Sequence, residues 1–249
     1  MTVIAIIPAR LDSSRLPRKV LLPIGDKSLL QHVHDNVARA RLVDTVYVAT
    51  DSEEVRNAVS AFNGQTLTTP STGIASGSDR VAHAARQVPH DIIINVQADE
   101  PFLTGKMVDE VVRPMLDDPG LDACTLCRRI TREEEFNDPG VVKCVRDALG
   151  NGLYFSRHRI PYPRNPGPDY MLHEHLGIYG FRAAFLQRFV QWEPTPLELT
   201  ESLEMLRIVE HGVPLRVVET SEDTSGYLSV DTKEDLERAG KTYMEMKAR

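Results

Sequence analysis

The chain has 249 residues, 41% of them hydrophobic and 26% charged, enough to bury a continuous core and ordinary for a soluble globular fold. Its formal net charge of −7 argues against broad nucleic-acid binding, which needs a basic face, but leaves room for a small anion in a local basic pocket. No apolar run reaches the ~20 residues that span a bilayer, the N-terminus lacks a secretory-signal pattern, and three cysteines cannot pair completely, so a cytoplasmic protein with reduced thiols and no membrane insertion is expected.

The chain opens on "TVIAII", a short β-branched run that reads as a buried parallel strand. It breaks at Pro8 into "IPARLDSSRLPRK", where Arg10, Arg15, Arg18 and Lys19 are opposed only by Asp12. "SLLQHVHDNVARAR" places Leu29, Leu30, Val33 and Val37 at helical spacing, and "DTVYVATD" is a second strand. "SEEVRNAVSAF" is a helix capped by Ser52, "GQTLTT" a weak third strand, "SGSDRVAHAARQV" a third helix and "DIIINVQADEP" a fourth strand. Strand–helix repetition of this kind implies an α/β fold with a mostly parallel sheet.

Beyond residue 121 the pattern changes. "LDACTLCRRI", "GVVKCVRD", "GLYFSR" and "EHLGIYGFR" are strand-like with no long helix between them, which suggests an antiparallel subdomain inserted at about 122–195 of a single domain spanning 1–249. "PYPRNPGP", from Pro161 to Pro168, is too rich in proline for regular structure. "TPLELTESLEMLRIVEHG" reads as one helix, with Thr195 as N-cap, Pro196 at its first position, Glu198 completing a capping box and Gly212 as its stop. "LRVVET" and "YLSVD" are further strands, and Thr232 caps the terminal helix.

Cys124 and Cys127 form a C-x-x-C, but no Gly or Pro separates them and no second ligand pair is evident. On a strand the two thiols face opposite sides, so the structural reading is preferred to a redox or zinc site.

Ligands of open α/β sheets bind beyond the carboxyl ends of the strands. Three polar clusters fall there: Arg10 to Lys19, Gln97 to Glu100, and Asp231. The first is not a P-loop, because it holds no glycine; its cations, the hydroxyls of Ser13 and Ser14, and its amides suit phosphate instead. Asp99 and Asp231 offer hard oxygen ligands of the kind magnesium uses beside substrate phosphates, provided that they meet in space. Taken alone, Asp231 reads as a turn and capping residue.

The order of "IPAR", "SSRLPRK", "VATD", "ASGSDR", "NVQADEP", "YFSR", "HLGIYGFR", "ELTESLEMLR" and "VDTKEDLE" resembles that of the 3-deoxy-manno-octulosonate (Kdo) cytidylyltransferases, from about Val3 to Glu237. The basic segment would be shared with sialic-acid cytidylyltransferases; "YFSR" and "HLGIYGFR" are more specific. The resemblance implies a Rossmann-like nucleotidyltransferase with a smaller antiparallel, dimerising subdomain, acting as a homodimer with Mg2+. The reaction implied is CTP plus Kdo giving CMP-Kdo and pyrophosphate, for lipopolysaccharide or capsule synthesis.

Carried over by position, Lys19, Arg15 and Asp99 would be catalytic. Pro8, Ala9, Arg10, Arg15, Lys19, Thr50, Asp51, Ser76, Gly77 and Ser78 would bind the nucleotide, and Asp99 with Asp231 the metal. Arg80, Gln97, Arg157, His175, Tyr179, Glu201 and Glu204 would bind the sugar acid. Arg80 or Arg157 could pair bidentately with its carboxylate. Glu201 and Glu204, three apart, would share a helix face, and His175 and Tyr179 a strand face. Arg18, at the least constrained position of the pattern, is expected to face solvent.

The chain departs from the family at Ala98, Ile74-Ala75 and "PYPR", which leaves 8-amino-Kdo or a sialic acid as alternative substrates. Isoprenoid-precursor cytidylyltransferases would share the basic loop alone. A non-catalytic nucleotide-binding protein would need neither Asp99 nor Asp231.

Overall fold

The computed structural model describes residues 1–13, 15–165 and 171–248. Ser14 and the 166–168 end of the proline-rich connection lie outside the described residues. The chain divides into two compact units, Met1–Asp109 with Glu222–Arg249, and Glu110–Ser221.

The first unit is α/β. β1 (Val3–Pro8) is buried along its apolar length, because Val3 to Ile7 present side chains to layers on both faces. A 3-10 turn (Lys19–Leu21) and a two-stranded ribbon, β2 (Pro23–Ile24) with β3 (Lys27–Ser28), lead into α1 (Leu29–Val37), capped by the Ser28 side chain. β4 (Thr45–Thr50), α2 (Glu53–Ala61), β5 (Gln65–Thr68), α3 (Gly77–Ala85) and β6 (Ile92–Val96) follow. β1 pairs in parallel with β4 and β6, and β4 with β5, so four strands lie in the order β6-β1-β4-β5. Their carboxyl ends therefore point the same way, and Pro8, Thr50, Thr68 and Val96 deliver their loops to one edge.

α4 (Gly105–Asp117), with Pro114 inside it, was not read from the sequence. In the second unit, β7 (Ala123–Arg129), β8 (Lys143–Arg146), β9 (Gly152–Ser156), β10 (His173–Arg182) and β11 (Leu215–Glu219) form a mixed arrangement. β10 is antiparallel to β7 and β8, β8 is antiparallel to β9, and β11 is parallel to β7. Cys124 and Cys127 sit on β7 as buried free thiols, and burial pushes the Cys124 thiol up to about 12, out of the range of a reactive thiolate.

Two expectations are corrected. The stretch expected to form one helix over 195–212 is two, α6 (Pro196–Glu201) and α7 (Met205–Glu210), with α5 (Ala183–Phe189) before them. The break lies at Ser202, which takes a left-handed φ of 53°. "YLSVD" is not a strand: Tyr227 to Asp231 is irregular, and its apolar alternation reflects Leu228 and Val230 packing on Ile24, Leu29 and Ala239. The chain closes with α8 (Lys233–Lys247), where Thr232 and Asp235 complete a capping box. No helix among the described residues is long and apolar enough to cross a membrane.

Candidate active site

The loop after β1 is held by its own groups and by β4. Ala9 N–H donates to the Ala49 carbonyl at 2.9 Å, Leu16 N–H to the Ser13 hydroxyl at 3.3 Å, and Arg18 N–H to the Leu11 carbonyl at 3.1 Å. Arg18, left-handed at φ 59°, turns its side chain to solvent and to Glu54 of α2, whereas Lys19 turns inward. The Lys19 ammonium lies 2.8 Å from Asp99 Oδ2 and 3.0 Å from Asp231 Oδ1. Arg15 reaches the other oxygen of Asp231 at 3.1 Å. Asp99 and Asp231, 132 positions apart, are thus joined through one cation, and Val230 N–H donates to the Asp99 carbonyl at 2.9 Å.

Burial works against the charge on Lys19, but the attraction and hydrogen bonds of Asp99 and Asp231 outweigh it and hold its pKa above the ordinary value. Glu100 points the other way: it is buried and accepts hydrogen bonds from the hydroxyls of Tyr227 at 2.5 Å and Ser229 at 2.9 Å. It anchors the Asp99 loop rather than facing a ligand.

Around these charges is a cleft of about 230 Å³. Pro8, Arg10, Arg15, Lys19, Ser76, Gly77, Arg80, Gln97, Asp99 and Asp231 all line it, as do Asp12, Ser13, Val20, Ile74 and Ala98. Of the expected nucleotide residues, Ala9, Thr50, Asp51 and Ser78 are not among its lining. Ala9 and Thr50 are fully buried, Ser78 accepts from Asn95 Nδ2 at 3.3 Å, and Asp51 pairs with Arg80 at 3.4 Å. Arg80 is itself buried and also donates to the Thr69 hydroxyl, a partner that sequence reading missed although it follows β5 in the register of a ligand loop. Ser76 caps α3, and its own N–H donates to Asp79 Oδ2 at 2.9 Å.

The other five expected sugar residues belong to the second unit and form separate groups. Glu201, the last residue of α6, accepts from the Ser156 hydroxyl at 2.6 Å and from Arg157 N–H at 3.0 Å. Burial raises its carboxyl pKa, but these bonds and the Arg157 charge lower it further, to a net value below the ordinary one. The Arg157 guanidinium donates to the carbonyls of Glu201 (2.9 Å), Pro139 (2.9 Å) and Ser202 (3.4 Å), capping the exposed end of α6. Glu204 precedes α7, across the break from Glu201, so the two do not share a helix face; this corrects the reading from their spacing.

His175 and Tyr179 do lie together, rings 5.3 Å apart. The His175 ring is buried, its Nε2 lying 3.0 Å from the Thr125 hydroxyl, which in turn donates to the Ile178 carbonyl at 2.6 Å. Burial pushes its imidazole down to about 3. Lys143, which no motif signalled, is fully buried and donates to the carbonyls of Asp138 and Val141, both at 2.6 Å, and of Arg157 at 3.1 Å.

A family profile described as "Cytidylyltransferase" matches residues 4–221. A "3-deoxy-manno-octulosonate cytidylyltransferase" of Pelobacter propionicus is 43% identical, the alignment covering 96% of each chain. One of the same name from Chlorobaculum parvum is 40% identical over 98% of each. The solved structure of a CMP:2-keto-3-deoxy-manno-octonic acid synthetase complexed with CTP superposes with a TM-score of 0.91 at 37% identity, over 99% of this chain and all of that one. The chain belongs to the 3-deoxy-manno-octulosonate cytidylyltransferase family.

The metal implied by membership of the 3-deoxy-manno-octulosonate cytidylyltransferase family can be tested against the donor set. Among the described residues no three His, Cys, Asp or Glu side chains converge as a metal cage. Asp99 and Asp231 converge as two carboxylates on one point of positive charge. Two carboxylates completed by substrate phosphates and water suit magnesium, and lack the nitrogen and sulfur ligands of a zinc site.

Proposed function

We propose that the protein transfers a cytidylyl group from CTP to a sugar acid of the Kdo type and releases pyrophosphate. The observation that supports this best is the junction of Lys19 with Asp99 and Asp231 in the cleft that Arg10 and Arg15 also line. It offers cations to a triphosphate and two carboxylates to a divalent ion in the same cleft. The anomeric hydroxyl of the sugar attacks the α-phosphorus in line, a P–O bond forms there, and the bond to pyrophosphate breaks. Such transfers are accelerated chiefly by positioning and by stabilising charge.

Lys19 keeps its proton at neutral pH because its pKa is raised, so it acts as a fixed positive charge and not as a base. Arg10 and Arg15 supply further charge to the phosphates, and Ser76 and Gly77 line the same cleft. Magnesium bound by Asp99 and Asp231 would neutralise phosphate charge and lower the pKa of a hydroxyl that it meets. Arg80 and Gln97 are assigned to the sugar acid from within the cleft. Arg157, His175, Tyr179, Glu201 and Glu204 are assigned to it on the family resemblance, Arg157 acting through its hold on Glu201. In this reading the enzyme is a cytoplasmic homodimer that feeds lipopolysaccharide or capsule assembly.

The experiment is pyrophosphate release from each of the common nucleoside triphosphates, with magnesium, against a panel of sugar acids. Release should require CTP and a Kdo-type acid, with 8-amino-Kdo and sialic acid as competing arms. Silence with CTP and every Kdo-type acid would defeat the proposal.

A further inference from the structure

The first unit holds a second cavity, of about 480 Å³, for which the transfer reaction has no use. That volume is in the range of sites that enclose small organic ligands. Its apolar part comes from Ile24 and Phe102, and beside them the rings of His32 and Tyr243 meet edge to face with centroids 4.7 Å apart.

His32 is only 8% exposed. Its Nε2 donates to the Ile24 carbonyl at 2.7 Å, which leaves Nδ1 of the neutral ring as an acceptor with no partner among the described residues. His32 lines the cavity, so this ring nitrogen is open to accept a hydrogen bond from an occupant.

The charges of the wall are unbalanced in one direction. Lys27 is held by Asp35 at 2.7 Å, but among the described residues Arg39 meets no carboxylate and its side chain donates only to Asn36 Oδ1 at 3.2 Å. Lys247 stands 3.5 Å from Asp26, both side chains largely exposed, and 5.7 Å above the Tyr243 ring. Two loosely held cations in a chain of net charge −7 mark this rim for an anion.

The walls also carry the segments that bear the catalytic charges. Phe102 follows Asp99 by three residues, Tyr243 lies on the helix that starts after Asp231, and Ile24 follows the 3-10 turn of Lys19. Ile24, Phe102 and Tyr243 pack with Leu16 and Val230 in one apolar cluster. Gly105 presses on the backbone of Arg39 and Ala40 so closely that a Cβ there would lie 2.6 Å from it, so the Asp99–Gly105 loop is packed directly on the end of α1.

We propose that this cavity is a regulatory site for a small ring-bearing organic anion. The ring lies against Tyr243 and Phe102 and gives an N–H or O–H to His32 Nδ1, and its anionic group meets Arg39 and Lys247. Occupancy shifts the supports of Lys19, Asp99 and Asp231 and so alters the affinity for the triphosphate.

Calorimetric titration of the full chain with indole-3-carboxylate tests this. Saturable binding is expected at millimolar concentration, weakened about tenfold or more for indole-3-carboxamide, which lacks the charge, and for 1-methylindole-3-carboxylate, which lacks the N–H. An Arg39→Glu, Lys247→Glu double variant should bind the probe about tenfold more weakly with its CTP affinity unchanged. In the wild type the probe should change CTP affinity by about fivefold or more. No saturable binding, equal binding by the carboxamide or by the double variant, or an unaltered CTP affinity would overturn the proposal. Failure of CTP to bind without the probe would instead count against the transfer reaction.

Discussion

Lys19 is the residue on which the cleft turns, because one ammonium holds together carboxylates from two distant parts of the chain. Lys19→Met should lower kcat/KM for CTP by about 10²–10³-fold, the range for removing one preorganised charge contact. A variant within about threefold of wild type would contradict that role. His175 yields a separate prediction. Its imidazole is held near 3, whereas in an unfolded chain it titrates near ~6.5. Between those values the unfolded chain takes up a proton that the folded chain refuses. His175 therefore makes stability fall on acidification below ~6.5, by up to about 1.4 kcal/mol per pH unit. Urea unfolding of His175→Gln should show a flatter dependence between pH 6.5 and 4.5 than the wild type; parallel curves would refute it. At this scale the sequence was informative about charge and blind to partners. Four clustered cations in an acidic chain announced an anion site, and the family pattern set Arg18 apart as facing solvent; tertiary geometry adds its partner, Glu54, and the two carboxylates that Lys19 meets. Lys143 gave no signal at all, since a lysine that satisfies itself on three carbonyls looks like any surface lysine in a sequence.

At the scale of elements, the capping signals were reliable because they are local. Ser52 and Thr232 sit at the helix starts that their side chains suggested, and the structure adds Ser28 and Ser76 in the same role. The break at Ser202 was not legible, because serine is an uncommon choice for a left-handed position and the cause is remote: Arg157, beyond β9, donates to the carbonyls that end α6. Ser202→Gly should relieve the left-handed strain and raise unfolding free energy by up to about 1 kcal/mol in urea titration, whereas Ser202→Val should lower it. "YLSVD" misled for a similar reason. Its alternation is real, but Val230 spends its N–H on the Asp99 carbonyl rather than on a ladder. α4 escaped notice because Pro114 interrupts its pattern. Gly105, at its start, admits no side chain: its Cβ would meet the backbone of Arg39 and Ala40 at 2.6 Å. Gly105→Ala should destabilise the protein by about 1–3 kcal/mol, read as a lower midpoint in urea with an unchanged m-value. An unchanged midpoint would mean that the loop and α1 separate freely.

At the scale of the molecule, the parallel α/β part was legible because each strand, helix and cap announced itself in turn, and the carboxyl-end rule then gathered the polar loops. The convergence of Asp99 and Asp231 could be stated only as a condition, since nothing local links positions 132 apart. The sugar subsite was carried by resemblance, and its residues in the second unit group around Glu201 and around His175 in ways that spacing did not foretell. Joining a cytidylyl group to a sugar acid is the chemistry that this cleft is built for in the reading above. Phosphorus NMR of the protein with CTP, Kdo and magnesium tests it most directly. A new sugar phosphodiester resonance should grow in one-to-one ratio with free pyrophosphate, and neither signal should appear with Asp99→Asn. Pyrophosphate without the phosphodiester, or no change in the spectrum of the wild-type mixture, would contradict it.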